Sequence, residues 1–389
     1  MKLLRTLSTS RLLLLLAALV VVGAAAAAIA VAASGGGGPT PPPKPLARAV
    51  HDSLAARAPE GITARIKFTN KLFPSGAITG QVGSALMSGA SGRLWVTNNR
   101  RGRLELQSDA GDVQIVWNDR EVTVYDASSN TVYRARLPEQ SKNEHGRSAA
   151  PSVATIRDVL VQLQKHVDLS GAQPSDVANH AAYTVRISPK HDGGLLGAGE
   201  LAWDAARGVP LRIAIYAQGA SSPVLELKAT HISYGRVPTS EVDISPPAGA
   251  KSVDVGSVGR RTDHAGSGVK ADGLSAVQAA AGFPVVAPAT LVGLPRRDVR
   301  LVGTGDSKAA FVVYGHGLGA IVVLERKTAA HGSSGLMGSL PTVSLDGLTA
   351  HELATQLGTA LTWKDGDVSY VLAGSVPPAA AEAAARALK

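Results

Sequence analysis

Ten histidines and no cysteine define the chemistry open to this 389-residue chain. Without thiols it has no disulfide, no Cys-ligated zinc, no iron–sulfur cluster and no thiolate nucleophile. A zinc site could still be built from histidine and carboxylate. "HELAT" at His351 begins like an HExxH helix, in which two histidines one turn apart hold the metal. Its fifth position is Thr355, so the second ligand is missing. "GTGDSK" at Gly303 lacks the third glycine of a dinucleotide fingerprint and the GK[ST] end of a phosphate loop, and reads as a hairpin turn. "GHG" at Gly315 puts His316 where a nucleophile elbow needs serine. No serine–histidine–aspartate set and no paired carboxylates stand out. The expectation is a binding protein without catalytic residues, metal or cofactor, and not an enzyme.

The formal charge of +9 raises nucleic acid as a partner. Lys2, Arg5 and Arg11 belong to the membrane signal described next, and of the rest only Arg100, Arg101 and Arg103 cluster near an aromatic. There is no basic helix and no RNP-like motif. The charge reads as a solvated basic surface beside an anionic membrane, with no nucleic-acid partner.

Leu12 to Ala33 is 22 residues without a charged or polar side chain. At 1.5 Å per residue it spans about 33 Å of helix, enough for a bilayer core of about 30 Å. The basic residues all lie on its N-terminal side, which puts the N-terminus in the cytoplasm and the body outside. Residues 1–33 are either an uncleaved anchor in the cytoplasmic membrane or a cleaved signal. Ala28-Ile29-Ala30 and Val31-Ala32-Ala33 are candidate cleavage sites. The anchor explains the full length better. "SGGGGPTPPPKP" over 34–45 reads as a Gly/Pro-rich stalk that holds the body off the membrane.

Residues 46–250 and 274–389 read as two folded units, separated by a small-residue linker over 251–273. In the first, Leu46, Ala49, Val50 and Leu54 share a helical stripe that Pro59 would end. Strand signals follow at 62–68, 77–82, 92–97, 101–107, 113–118, 121–126 and 131–137. Val153, Ile156, Val159, Leu160, Leu163 and Val167 then keep a helical period after Pro151. Strands return at 180–187, 197–204, 209–217 and 224–234. About eleven strands and two helices predict an α+β domain dominated by one antiparallel sheet. The second unit reads as a small α+β domain. It has helices over 274–281 and 379–388, four strands, and a helix or irregular connection over 351–357. In the first unit, strands 113–118 and 121–126 carry apolar residues on both faces. Two short helices are too few to cover so large a sheet, and the remainder predicts a concave apolar cavity.

The stretches "GRLWV" (Gly92–Val96), "RLEL" (Arg103–Leu106) and "IVWNDREVTVYDASSNTVYR" (Ile115–Arg134) resemble consecutive strands of the periplasmic lipoprotein-carrier superfamily, the LolA-like fold. "AYTVRISP" (Ala182–Pro189), "LAWDAARGVPLRIAIY" (Leu201–Tyr216) and "PPAGAK" (Pro246–Lys251) agree in order and spacing. The resemblance implies an unclosed antiparallel half-barrel with a helical lid over a cavity for acyl chains. Parity along the strands places Leu104, Leu106, Ile115, Trp117, Val124, Leu211 and Ile213 in that cavity. Val50, Leu54, Ile156, Leu160 and Leu163 form the lid. Arg103 matches a family arginine associated with holding the lid closed. Asn118-Asp119 departs from the family's Asp-Gly turn. "VVYGHGLGAIVVLER" (Val312–Arg326) and "VSYVLAGSVPPAAAEAAARAL" (Val368–Leu388) resemble segments of the RseB/MucB family, with His316 where that family has Asp. Those proteins pair a LolA-like domain with a small C-terminal domain, bind lipid-like signals and regulate an anti-sigma factor. Two functions follow as expectations. One is a tethered carrier or sensor of lipid or lipoprotein acyl chains. The other is a regulator of an anti-sigma-type membrane protein.

Overall fold

The computed structural model describes residues 38–72, 85–99, 101–137, 150–191, 193–257, 271–303, 305–328 and 340–388. The membrane segment 1–33 and the strand expected over 77–82 lie outside the described residues. Helix α1 (Leu46–Ala55) follows Pro45, whose fixed φ suits a helix start, and buries Ala47, Ala49 and Val50. The first meander is β1 (Gly61–Asn70), β2 (Ala90–Thr97), β3 (Gly102–Gln107), β4 (Val113–Trp117), β5 (Glu121–Asp126) and β6 (Thr131–Arg136), with a single turn α2 (Ala85–Ser88) before β2. Helix α3 (Val153–Leu163) starts at Ser152, whose Oγ accepts the Thr155 N–H at 3.1 Å. The second meander is β7 (Val167–Leu169), β8 (Gln173–Val177), β9 (His180–Pro189), β10 (Leu196–Asp204), β11 (Pro210–Ala217) and β12 (Leu225–Tyr234), and β13 (Lys251–Ser257) follows.

β12 returns to pair with β1 and joins the meanders into one sheet of thirteen strands among the described residues. The order is β13-β6-β5-β4-β3-β2-β1-β12-β11-β10-β9-β7, with β8 also on β9. All pairings are antiparallel except β13 on β6. The terminal strands β13 and β7 do not pair with one another, so the sheet is open. The expected linker over 251–273 is therefore shorter, because Lys251–Ser257 extends this sheet and Ala271–Asp272 belongs to the next. The expected stalk is shorter too. Pro41 is buried, the Tyr183 hydroxyl donates to the Pro42 carbonyl at 2.6 Å, and Lys44 pairs with Asp52 at 2.7 Å. From Gly38 onward the proline-rich segment lies on the body.

The second unit begins with β14 (Ala271–Asp272) and α4 (Leu274–Ala281). β15 (Thr290–Leu291), β16 (Leu294–Val302), β17 (Ala309–Tyr314), β18 (Ile321–Lys327), β19 (Thr342–Leu345), β20 (Leu348–Thr355), β21 (Gly358–Asp365), β22 (Val368–Gly374) and α5 (Pro378–Arg386) follow. The strands form a nine-stranded sheet among the described residues, richer than the four strands expected. His351 and Glu352, expected in a helix or connection, sit in β20. The Asp346-Gly347 turn, with φ of 48° and 98°, folds β20 back on β19, and a strand cannot present HELAT as a helical zinc face.

Candidate ligand-binding face

Register builds the apolar face of the first sheet. One row crosses eight strands: Ile232, Ala64, Leu94, Leu104, Ile115, Val124, Tyr133 and Val253 stand opposite one another in turn. A second runs Ile62, Val96, Gly102, Trp117, Val122 and Ala135. A third continues onto the other meander through Phe68, Leu227, Ile213, Leu201 and Val185. Residues directly opposite in a ladder share a face, so these rows form one surface.

Local chemistry fixes that register. Gly102 faces Trp117, and a Cβ at 102 would lie 2.1 Å from the indole, so glycine makes room for the ring. In the turn, the Asn118 N–H donates to the Glu121 carbonyl at 3.0 Å, and Asn118 Oδ1 accepts from the N–H of Arg120 and Glu121. This side-chain cap holds the hairpin without the glycine of the resembled family. Trp117 consequently points inward and is 4% exposed.

Six of the seven expected lining residues, Leu104, Leu106, Ile115, Trp117, Val124 and Leu211, join one buried cluster. Ile213 is half-buried and packs with Tyr183, Val185, Leu201 and Trp203, beneath Ala49 of α1. The face is thus covered from solvent by the chain's own side chains. Leu86 of α2 is wholly buried in the same cluster, and its carbonyl accepts from Asn70 Nδ2 at 2.8 Å. This plug carries no periodic signal and was not foreseen from sequence.

The lid is divided. Val50 and Ile156 are buried together with Ala47, and Leu54 and Leu160 pack partly against them. Leu163 stays outside this contact, 39% exposed. Arg103 does not hold the lid. Alternation sends it to the opposite face from Leu104, where it stacks 4.9 Å over Trp95, pairs with Glu105 and donates to the Glu241 carbonyl at 3.3 Å. Burial pushes its pKa down. It ties the segment after β12 to the sheet's back.

Two cavities open at the rims. One of about 350 Å³ is bordered by Leu106, Val113, Tyr125, Ile244 and Pro247. The other, about 400 Å³, lies between the proline-rich segment and Tyr183, His180 and Arg207. Asp204, beside it, is 2% exposed and accepts from the Tyr234 hydroxyl at 2.8 Å and from the N–H groups of Ala206 and Arg207 at 2.9 Å. His180 Nδ1 is 3.2 Å from the same carboxylate, and Nε2 is 3.3 Å from the Ile232 carbonyl. Burial, then the bond to Asp204, pushes the Tyr234 hydroxyl pKa up. These bonds tie β9, β10 and β12 together at Asp204. Among the described residues no group of three or more metal-ligating side chains occurs.

No family model and no curated protein matches the sequence. Solved structures do resemble it. The MucA/MucB complex of Pseudomonas aeruginosa aligns at 15% identity and TM-score 0.42, over 87% of this chain and 95% of that one. MucB alone aligns at 15% and 0.36, over 87% and 96%. A LolA superfamily protein, NE2245 from Nitrosomonas europaea, aligns at 8% and 0.23, over 52% and 99%. The chain is α+β, built on large antiparallel sheets, and is structurally similar to these proteins at low identity.

Proposed function

We propose that this chain is a membrane-tethered, extracytoplasmic binding protein that takes an acyl chain from a lipid or lipoprotein onto the inner face of its first sheet when its helical cover lifts. The supporting observation is the apolar face laid in register across both meanders, with α1 packed on its second-meander end through Ala49 and α3 held on α1, burying Ile156 alone. Moving about 15 methylenes out of water is worth roughly 12 kcal/mol, at about 0.8 per CH₂. A bilayer offers the same gain, so a transferable ligand must be held by a site of similar apolarity. Here the ligand competes with Leu86 and α1 for one surface. A self-packed closed form keeps that surface dry between loads.

Photolysis of the full chain with a diazirine-bearing palmitate tests this. Peptide mapping should find labels on β3, β4 and β11, around Leu104, Ile115 and Ile213. Labels confined to outer surfaces would refute the reading. A second reading is regulation of an anti-sigma-type membrane protein through the second unit. It is favoured by Leu318, 54% exposed in the turn between β17 and β18. Leu318→Asp should then weaken binding of such an ectodomain at least tenfold by calorimetry, with lipid weakening it further; unchanged affinity would exclude Leu318.

A further inference from the structure

The outer face of the first sheet gathers basic residues that the sequence keeps far apart. Register sets Arg65 of β1 directly opposite Arg93 on β2 and, on its other side, opposite His231 on β12. One pleat repeat further along β1, Lys67 stands opposite Lys228 of β12. Alternation turns these side chains away from Ala64, Ile66 and Phe68, which are buried on the inner face. Arg65, Lys67, Arg93 and His231 are exposed, and Lys228 is half-buried. Like charges directly opposite one another weaken a strand pair. Among the described residues Arg65, Lys67, Arg93 and Lys228 enter no ion pair. The carboxylates beside them are engaged elsewhere. Glu105, opposite Arg93, pairs with Arg103, and Glu226, two residues before Lys228, pairs with Arg212.

Spacing and composition say what this face meets. Neighbouring strands lie about 4.8 Å apart and a two-residue repeat advances about 6.8 Å, so the four fixed cations form two short rows that share β1. A carboxylate seated over the Arg65–Arg93 row and another over the Lys67–Lys228 row are one two-residue repeat apart along the strands. That is the spacing of alternate side chains in an extended chain. From β12 to β2 this face carries no exposed large apolar side chain to enter a bilayer. It also presents no exposed Phe, Tyr or Trp for a base to stack on, because Trp95 is buried beneath Arg103, Val237 and Val242. Charge complementarity and strand spacing therefore favour polypeptide over lipid and nucleic acid.

We infer that the outer face of β12, β1 and β2 docks an extended acidic segment of a partner protein, whose carboxylates at alternate positions sit over the Arg65–Arg93 and Lys67–Lys228 rows. A carboxylate over each row relieves the like-charge repulsion that the free sheet carries. The site lies on the opposite face of β1 from the surface proposed for acyl chains, so it stands without that reading.

Two synthetic peptides of equal composition test the inference, one alternating Glu and Thr and one with all its Glu consecutive. Calorimetry would use the full chain in an uncharged detergent at low salt. The alternating peptide should bind about fivefold tighter or more, and its affinity should fall steeply as salt is added. Arg65→Ser and Lys67→Ser should each weaken it about tenfold. Arg120→Ser removes an equal charge at an exposed turn and should leave it unchanged. Each of the first two variants removes one of two opposed like charges, so its thermal midpoint should hold or rise, which separates lost binding from unfolding. Absence of binding, equal affinity for the two peptides, or an equal loss with Arg120→Ser would overturn the docking. Tighter, Arg65-dependent binding of short-chain phosphatidylglycerol or of a single-stranded oligonucleotide would overturn it too, by assigning the face to lipid or to nucleic acid.

Discussion

Helices α3 and α5 both lie at the edge of a sheet-built core, and they are held in opposite ways. α5 buries Ala381, Ala384 and Ala385 at 0–1% exposure, with Leu388 beyond them at 1%. Alanine brings the backbone close to β21 and β22 and loses no side-chain entropy on burial. Arg386 then fastens the last turn, with Nη2 2.7 Å from Glu382 and 3.3 Å from the Ser344 carbonyl. α3 carries larger apolar side chains but buries only Ile156. It holds through α1 rather than through the sheet. One helix is part of its core, and the other is held through a neighbouring helix. Local opening draws on segments with few buried apolar contacts, so α3 is expected to open more readily than α5.

The largest effect should come from charging the two covers in turn. Ala384→Asp buries an unpaired carboxylate and should cost about 4 kcal/mol or more in urea unfolding of the second unit. Val159→Asp should change stability by less than about 0.5 kcal/mol. Equal losses would erase the distinction between the helices.

Acidity should separate the units next. Glu325 is wholly buried in β18; its Oε2 accepts the Val286 N–H at 2.8 Å and its Oε1 has no partner. Burial pushes its pKa up from 4.5 to about 7. The folded chain therefore keeps a proton that the unfolded chain gives up between these values. The contribution of Glu325 to stability is full below pH 4.5, falls as pH rises to about 7, and is flat above. The loss is about 3 kcal/mol at 1.36 per pKa unit. Glu325→Gln should remove most of that slope in the second unit, where burial also pushes the Glu352 carboxyl up, and leave the first untouched. A slope that persists in the variant would assign it to another group.

Within the first sheet, Gly102→Ala tests whether the apolar face is as tightly set as its register implies. The added methyl meets the Trp117 ring. It should cost about 2 kcal/mol, and Trp117→Phe in the same chain should recover part of that. A neutral Gly102→Ala would mean that the indole can leave its place, as an open cavity would allow.

Much of this was legible in the sequence, for physical reasons that differ by element. Helix Leu274–Ala281 and strand Glu121–Asp126 emerge with the bounds the pattern predicts, because periodicity and punctuation agree there. Parity alone put Leu104, Ile115, Trp117 and Val124 on one face. Strand β8 and its turn at Ala178-Asn179 were not expected, since alanine gives no hint of a φ of 57°. The Asp346-Gly347 turn was present in the sequence, but the strands it joins, β19 and β20, were not expected. Arg103 went astray because a resemblance supplied its role, whereas the strand's own alternation sends it to the back. The covering of the face by Leu86 was out of reach, and so was the docking of the proline-rich segment, which rests on a contact between Pro42 and Tyr183 141 residues apart.

The smallest effect is the most selective. Ser152 caps α3, and Ser152→Ala frees the Thr155 N–H at a cost of about 1 kcal/mol. In a helix welded to a core, that cost would appear as a loss of global stability. α3 rests on α1 alone, so the cost should appear locally. Hydrogen exchange of the amides in 156–163 should quicken about fivefold, while β3, β4 and α5 keep their rates. Because α1, which α3 packs against, covers Ile213, the same variant should also label more heavily with the diazirine palmitate at Ile213. Faster exchange of α3 with no gain in labelling would detach this helix from access to the apolar face. A uniform quickening across the first sheet would mean that α3 is as much a part of its core as α5 is of the other.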